Sequence, residues 1–153
     1  MVGGGIVGKA CALLLAQQGM QVALVAPRPR AGAPEADQWD SRIYAFSASS
    51  QALLAQLRVW EALDPARVQP VCDMRVSGDA SAAREDAPAA GDLHFSAYAA
   101  TVPQLAWIIE SGQVERVLDT ALRFQHQVHW FDDTAAAFQR DHDGATLTLA
   151  GGD

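Results

Sequence analysis

Three glycines near the start of the chain have the spacing of a phosphate-binding turn. Gly3, Gly5 and Gly8 fill the fixed positions of G-x-G-x-x-G within Gly3-Gly4-Gly5-Ile6-Val7-Gly8. Each has its own task in such a turn. Gly3 makes the tight turn off a strand, Gly5 lets the backbone approach a pyrophosphate, and Gly8 lets the following helix pack closely on the sheet. A helix that begins there offers unpaired N–H groups and a partial positive charge to phosphate oxygens. The pattern by itself occurs in many loops, so its surroundings decide. An alanine- and leucine-rich run from Ile6 to Gln18 leads to Gly19, where a helix-ending glycine belongs. Gln21-Val22-Ala23-Leu24-Val25 then reads as a strand. Glycine turn, helix, stop and strand form the entry of a βαβ nucleotide fold. Only Met1 and Val2 precede the glycines, so most of the opening strand is expected to lie before this chain.

A carboxylate about 20 residues past the glycines would normally hold the adenosine ribose. Val25-Ala26-Pro27-Arg28 stands there instead. Arg28 and Arg30 would favour a 2′-phosphate, or are simply solvated, and the residues do not choose between the two. Other chemistry is thinly represented. His126 and His129 read as one strand with their side chains on opposite faces, which does not make a metal site. His94 and His142 read as ordinary strand and loop histidines. No spacing supports a Ser-His-Asp arrangement, and Glu85-Asp86 and Asp132-Asp133 read as solvated loop charges. Any reaction must therefore be carried by a bound cofactor.

The composition bounds the rest. At 153 residues the chain is one domain by size, and half its residues are apolar against 19% charged, which suits a packed α/β protein. A net charge of -7 without a basic stripe argues against nucleic acid as a partner. Cys11 and Cys72 make no disulfide framework and read as reduced thiols of a cytoplasmic protein. No apolar run is long enough for a transmembrane segment, and the N-terminus lacks the basic stretch of a signal peptide.

Along the chain, Pro27 to Asp40 reads as an exposed loop and Ser41 to Ser47 as a short extended piece. Ser47 or Ser49 caps a helix expected from about Ser50 to Leu63, with Leu53, Leu54, Leu57, Trp60 and Leu63 as its core stripe. Val68 to Ser77 reads as one strand, Gly78 to Gly91 as a loop, and Leu93 to Ala97 as the return strand of a hairpin. Ala99 to Ile109 stays open between strand and turn. A helix follows over Gly112 to Leu122, then strands over Phe124–Phe131, Ala135–Arg140 and Ala145–Leu149, the last two joined by an Asp143-Gly144 turn.

Four separated stretches together resemble the FAD-dependent aromatic hydroxylases of ubiquinone biosynthesis, within the para-hydroxybenzoate hydroxylase class. The first is the glycine turn with its helix and strand. Asp40-Ser41-Arg42-Ile43-Tyr44-Ala45-Phe46-Ser47 is similar to the family's D-x-R-x-x-A-L-S/T segment. Leu57-Arg58-Val59-Trp60-Glu61-Ala62-Leu63 is similar to L-G-V/I-W-x-x-L/I. Leu105 to Glu110, followed by Val114 to Leu118, is similar to the family's strand and helix containing Ile-Glu-Asn; Ser111 stands at the Asn and Ala26 at the ribose-binding Glu.

The resemblance implies a Rossmann-like α/β FAD-binding βαβ fold with additional antiparallel strands, incomplete as a domain. Residues 1–153 would form the FAD/NAD(P)-binding N-terminal portion of a longer protein, inactive alone. It places Gly3, Gly5 and Gly8 at the FAD pyrophosphate and Arg42 near the flavin, where it contacts phosphate or ribityl oxygens or is a plain ion-paired surface arginine. Ser111 falls near the ribityl chain and Arg116 on the helix that approaches the cofactor. The implied reaction is reduction of FAD by NAD(P)H, reaction with O2 and hydroxylation of a small aromatic substrate, a prenylated phenol. The implied location is the cytoplasm, peripheral to the inner face of the membrane. Another FAD oxidoreductase, such as an amine oxidase or prenyl reductase, and a degenerate nucleotide-binding module are the alternatives.

Overall fold

The computed structural model describes residues 1–28, 39–77, 92–142 and 144–151. Arg30, Glu85-Asp86, Asp143 and the closing Gly152-Asp153 lie outside the described residues, as do most of the loop after Pro27 and the one after Ser77.

The entry unit forms as the glycine pattern requires. Helix α1 spans Ile6–Gln17 and strand β1 spans Val22–Val25, with Gly19 between them at φ +82°. The Met20 N–H reaches back to the Leu15 carbonyl at 3.1 Å, closing the helix end over that glycine. Val2 pairs with Val25 in parallel, and the Gly3 N–H donates to the Val25 carbonyl at 2.9 Å. On its other side β1 pairs in parallel with β7, Val128–Phe131. α1 is apolar nearly all round because it is covered twice, by β1 and β7 and by helix α4, Ser111–Arg123.

α4 is amphipathic and turns Val114, Leu118 and Leu122 inward. These meet Leu13, Leu24, Leu57, Val59 and Ile109 in one core, each side chain worth roughly 1.5–3 kcal/mol of burial. A second, antiparallel sheet feeds α4. Its order is β2 (Ile43–Phe46), β6 (Ala106–Glu110) and β3 (Val68–Val71), and β6 runs straight into α4. Pro70 sits on β3, an edge strand, where a missing N–H costs nothing. Two hairpin pairs complete the described structure: β4 (Asp73–Val76) with β5 (Leu93–Ser96), and β8 (Ala135–Arg140) with β9 (Ala145–Leu149). A single-turn helix α3, Ala97–Ala100, follows β5.

Three expected boundaries move. The helix expected to run to Leu63 is α2, Ala48–Gln56, capped by Ser47, whose hydroxyl accepts from the Ser50 N–H at 3.3 Å. It stops because Arg58 takes the left-handed conformation, φ 61°. Leu57 and Val59 are then both fully buried, a two-residue period that one helix face cannot supply. A 3-10 turn, Trp60–Ala62, follows, and Trp60 packs on the core with its ring edge-on to Trp107 at 5.4 Å. Leu53, expected in the core stripe, is exposed. The single strand expected over Val68–Ser77 changes partner at Cys72, so β3 joins β6 while β4 joins β5. Residues 124–127 are the turn off α4, and only Val128–Phe131 is strand. His126 therefore lies off the strand that carries His129, and both are at least partly open to solvent.

Candidate functional site

The glycine turn contains three different reasons for glycine. Gly3 sits at φ +105°, where a side chain would strain the backbone. A Cβ on Gly8 would collide with the Gly3 carbonyl oxygen, so the turn and the first turn of α1 lie in direct backbone contact. Gly5 is unlike both. Its backbone is extended, φ -76° and ψ 178°, and a Cβ there would meet nothing within 4 Å. Among the described residues, none requires glycine at position 5. The open space in front of it is what an approaching ligand would use.

Gly5 is the N-cap of α1 and gives that end no side-chain cap. The first helical hydrogen bond runs from the Lys9 N–H to the Gly5 carbonyl at 3.0 Å, so the amides before Lys9 are the orphan donors of a helix start. A cradle of bare amides at the positive end of a helix fits a pyrophosphate.

The start of α4 is the opposite case, because its amides are already taken. The Ser111 N–H donates to the Arg42 carbonyl at 2.8 Å, and the Gly112 N–H donates to Asp40 Oδ2 at 3.0 Å. Asp40 in turn donates its own N–H to Glu110 Oε2 at 2.7 Å. Glu110, 5% exposed, is held by Arg67 through two bonds, Nε to Oε1 at 2.9 Å and Nη2 to Oε2 at 2.7 Å. The Arg67 guanidinium lies 4.5 Å from the Trp39 ring centre. The D-x-R segment is thus a clasp that fixes where α4 begins.

The Arg42 N–H on Asp40 Oδ1, at 2.9 Å, is the main cause of a lowered Asp40 pKa. Partial burial opposes it, and the Gly112 N–H and the Arg42 charge lower it further. A folded-state pKa below the ordinary 3.8 means that the stability Asp40 contributes is present above that value and lost as pH falls through the folded one. Denaturant titrations from pH 6 downward are expected to show a smaller acid loss of stability below about pH 4 in Asp40→Asn than in wild type, the difference being the part that Asp40 contributes.

The candidates from the sequence fall into two groups. Gly3, Gly5 and Gly8 stand together at the start of α1. Arg42, Ser111 and Arg116 gather at the start of α4. The Arg42 side chain is 70% exposed with its Nε 3.6 Å from Asp40 Oδ1, leaving the guanidinium largely open to an anion. Ser111 is 1% exposed, and its hydroxyl donates to Glu115 Oε1 at 3.1 Å. Arg116 is half-buried and lines a cleft of about 480 Å3 with Arg58, Asp64 and Gln113. Ala26 lies against the turn, where a Cβ on Gly4 would come within 2.7 Å of the Ala26 Cβ. Its carbonyl accepts from Trp130 Nε1 at 2.8 Å, and the position carries no carboxylate. Arg28 lies 5.9 Å from the Trp130 ring centre.

Sequence reasoning missed Lys9. It is 1% exposed inside the α1–α4 contact, 2.8 Å from Asp119 Oδ1 and 3.4 Å from Glu115 Oε2. The available signal was a cation within an apolar helix and two acids four residues apart on the inward-facing side of another. Glu110 is the Glu of the Ile-Glu stretch that carries the resemblance, but its pairing with Arg67 left no local trace. Among the described residues, no group of three His, Cys, Asp or Glu could hold a metal ion, and no helix is long and apolar enough to cross a membrane.

Val2 paired in parallel with β1, the glycine turn and a bare helix start form the entry of a βαβ dinucleotide-binding fold. The chain belongs to the FAD-dependent oxidoreductase family, which residues 1–150 match. It is similar to 3-demethoxyubiquinol 3-hydroxylase of Escherichia coli (strain K12), with 31% identity over the whole chain and 37% of that protein. Its fold is similar to that of a mutant of Pseudomonas aeruginosa PqsL, with a TM-score of 0.70, 16% identity, and coverage of 99% of this chain and 38% of that one. The p-nitrophenol 4-monooxygenase PnpA of Pseudomonas putida DLL-E4 gives a TM-score of 0.67, 19% identity, and coverage of 99% and 36%. The chain therefore spans somewhat over a third of the length of these proteins.

Proposed function

We propose that this chain is the FAD-binding, N-terminal part of a flavoprotein monooxygenase that hydroxylates an aromatic ring with NAD(P)H and O2. The observation that carries the cofactor reading is Gly5, a glycine that no described residue requires to be one, set at an uncapped helix start. The ring chemistry is supported by the E. coli relative and by the resemblance of the Asp40–Ser47 and Trp60 segments to the aromatic hydroxylases, which argues against an amine oxidase or prenyl reductase. A polyprenylated phenol of ubiquinone synthesis is the substrate class that this relative favours, and such a substrate favours work at the inner membrane surface from the cytoplasmic side.

Bound FAD would accept reducing equivalents from NAD(P)H and activate O2 for transfer to the ring. This chain's residues have simpler tasks. The amides at the start of α1 would bind the pyrophosphate with Gly3 and Gly8 holding the turn closed, and the exposed Arg42 would supply a cation beside it. Ser111 and Arg116 would set the far end of the cofactor through the placement of α4. Ala26 gives the ribose hydroxyls no acceptor, the one observation that favours a non-catalytic nucleotide module as a second reading.

Titrating the chain with FAD and following flavin fluorescence and the visible absorbance band tests the cofactor reading. Saturable uptake of about one FAD per chain is expected. A colourless protein that takes up no added FAD would overturn it, and the ring chemistry is tested in a longer protein that carries this chain, where NAD(P)H oxidation that no phenol accelerates would favour the second reading.

A further inference from the structure

We propose that Lys9 is a positioning residue that couples the phosphate-binding turn of α1 to the start of α4, so that the two ends of the cofactor site move as one. The proposal rests on the FAD reading for its consequence, though not for its geometry.

A buried ammonium is costly. Even when paired, it recovers its lost hydration only through close, well-placed carboxylates, and an apolar residue of similar size is often as stable or better. Position 9 faces α4 from a helix whose other buried residues are Ala10, Ala12, Leu13 and Ala16. A charge there does nothing for packing that methionine would not do. It does fix rotation, because the ammonium meets Asp119 at 2.8 Å and Glu115 at 3.4 Å. Turning α1 by one residue, about 100°, would carry it away from both.

That rotation matters on both sides. Toward the turn, Lys9 follows Gly8, which lies in contact with the Gly3 carbonyl, and its own N–H bonds the Gly5 carbonyl at 3.0 Å. Toward α4, the carboxylate of Glu115 is shared: Oε2 faces Lys9 while Oε1 accepts the Ser111 hydroxyl at 3.1 Å. Ser111 in turn donates its N–H to the Arg42 carbonyl. A continuous chain of polar contacts therefore runs from Gly5 through Lys9, Glu115 and Ser111 to Arg42. It joins two of the candidate phosphate-side and flavin-side groups without involving either ligand surface.

The test uses Lys9→Met and, because that variant leaves the half-buried Asp119 without its cation, Lys9→Met/Asp119→Leu as well. The second removes the cation together with its tighter partner and leaves Glu115, 30% exposed, to water. In whichever variant melts as a cooperative folded protein, amide hydrogen exchange is compared with wild type. The amides of residue 9, Ser111 and Gly112 are expected to exchange at least about tenfold faster, with Leu24 in β1 unchanged. Exchange at these three sites that stays at the wild-type rate, or that rises equally at Leu24, overturns the coupling. The FAD dissociation constant is expected to rise about tenfold in the same variant, and an unchanged value also overturns the positioning role. Wild-type chain that binds no FAD sinks the cofactor reading, and the exchange comparison still decides the coupling.

Discussion

Gly5→Val is expected to leave a folded protein that no longer takes up FAD. The fold survives because position 5 is extended backbone that valine adopts freely, and its Cβ would enter open space. Exchanging glycine for valine at the N-cap should cost about 1 kcal/mol. Binding fails because the same open space is where a pyrophosphate must come within hydrogen-bond distance of the first-turn amides. Two branched methyls in front of those amides push the phosphates out of reach. Charge-assisted bonds of this kind are worth about 1.5–3 kcal/mol each, so losing two lowers affinity roughly a hundredfold or more. Gly8→Val is the control. Its side chain would collide with the Gly3 carbonyl, so it should lose fold and binding together. Tight FAD uptake by folded Gly5→Val, followed by fluorescence titration, would falsify the placement of the cofactor at this turn.

Glycine spacing and apolar periodicity make the entry unit legible in the sequence, because both are local. α1 and β1 appear where Gly3 to Val25 put them, and the β8–β9 hairpin falls on Ala135–Arg140 and Ala145–Leu149 as alternation indicates. The failures share one cause, which is that their determinants are distant. Arg58 is itself no glycine, although the L-G-V/I-W segment it resembles has one at that position; burial of Leu57 and Val59 on either side of it imposes the left-handed stop. Val68 to Ser77 alternates apart from Val71, and its division at Cys72 comes from the separate partners of its two halves, β6 for one and β5 for the other. The site shows the same division. Gly3, Gly5 and Gly8 are a local pattern and can be read directly. Lys9 meets Glu115 across 106 residues of chain, and Arg67 meets Glu110 across 43, distances over which one sequence shows no pairing. Arg42 is recognisable as part of a motif, whereas its neighbour Asp40 proves to hold the start of α4.

Glu110→Ala is expected to be the most destabilising single change at the second cluster. Glu110 and Arg67 have side chains only 6% and 12% exposed, so removing the acid takes a paired carboxylate away from a guanidinium in the interior. Breaking one partner of a buried pair in this way costs about 3–5 kcal/mol, a large part of a domain's total stability. The same step removes the acceptor for the Asp40 N–H, and Asp40 is what caps Gly112 at the head of α4. Stability and site geometry are thus joined at one carboxylate, and a double variant separates them. Glu110→Leu/Arg67→Met replaces the pair by apolar groups and should recover most of the lost stability in denaturant titration, since neither charge of the pair is left without the other. It cannot restore the acceptor at Asp40, so the Ser111 and Gly112 amides should still exchange faster than in wild type. Full recovery of both readouts would mean that the pair contributes packing alone, and that the clasp from Trp39 to Arg42 holds α4 without it.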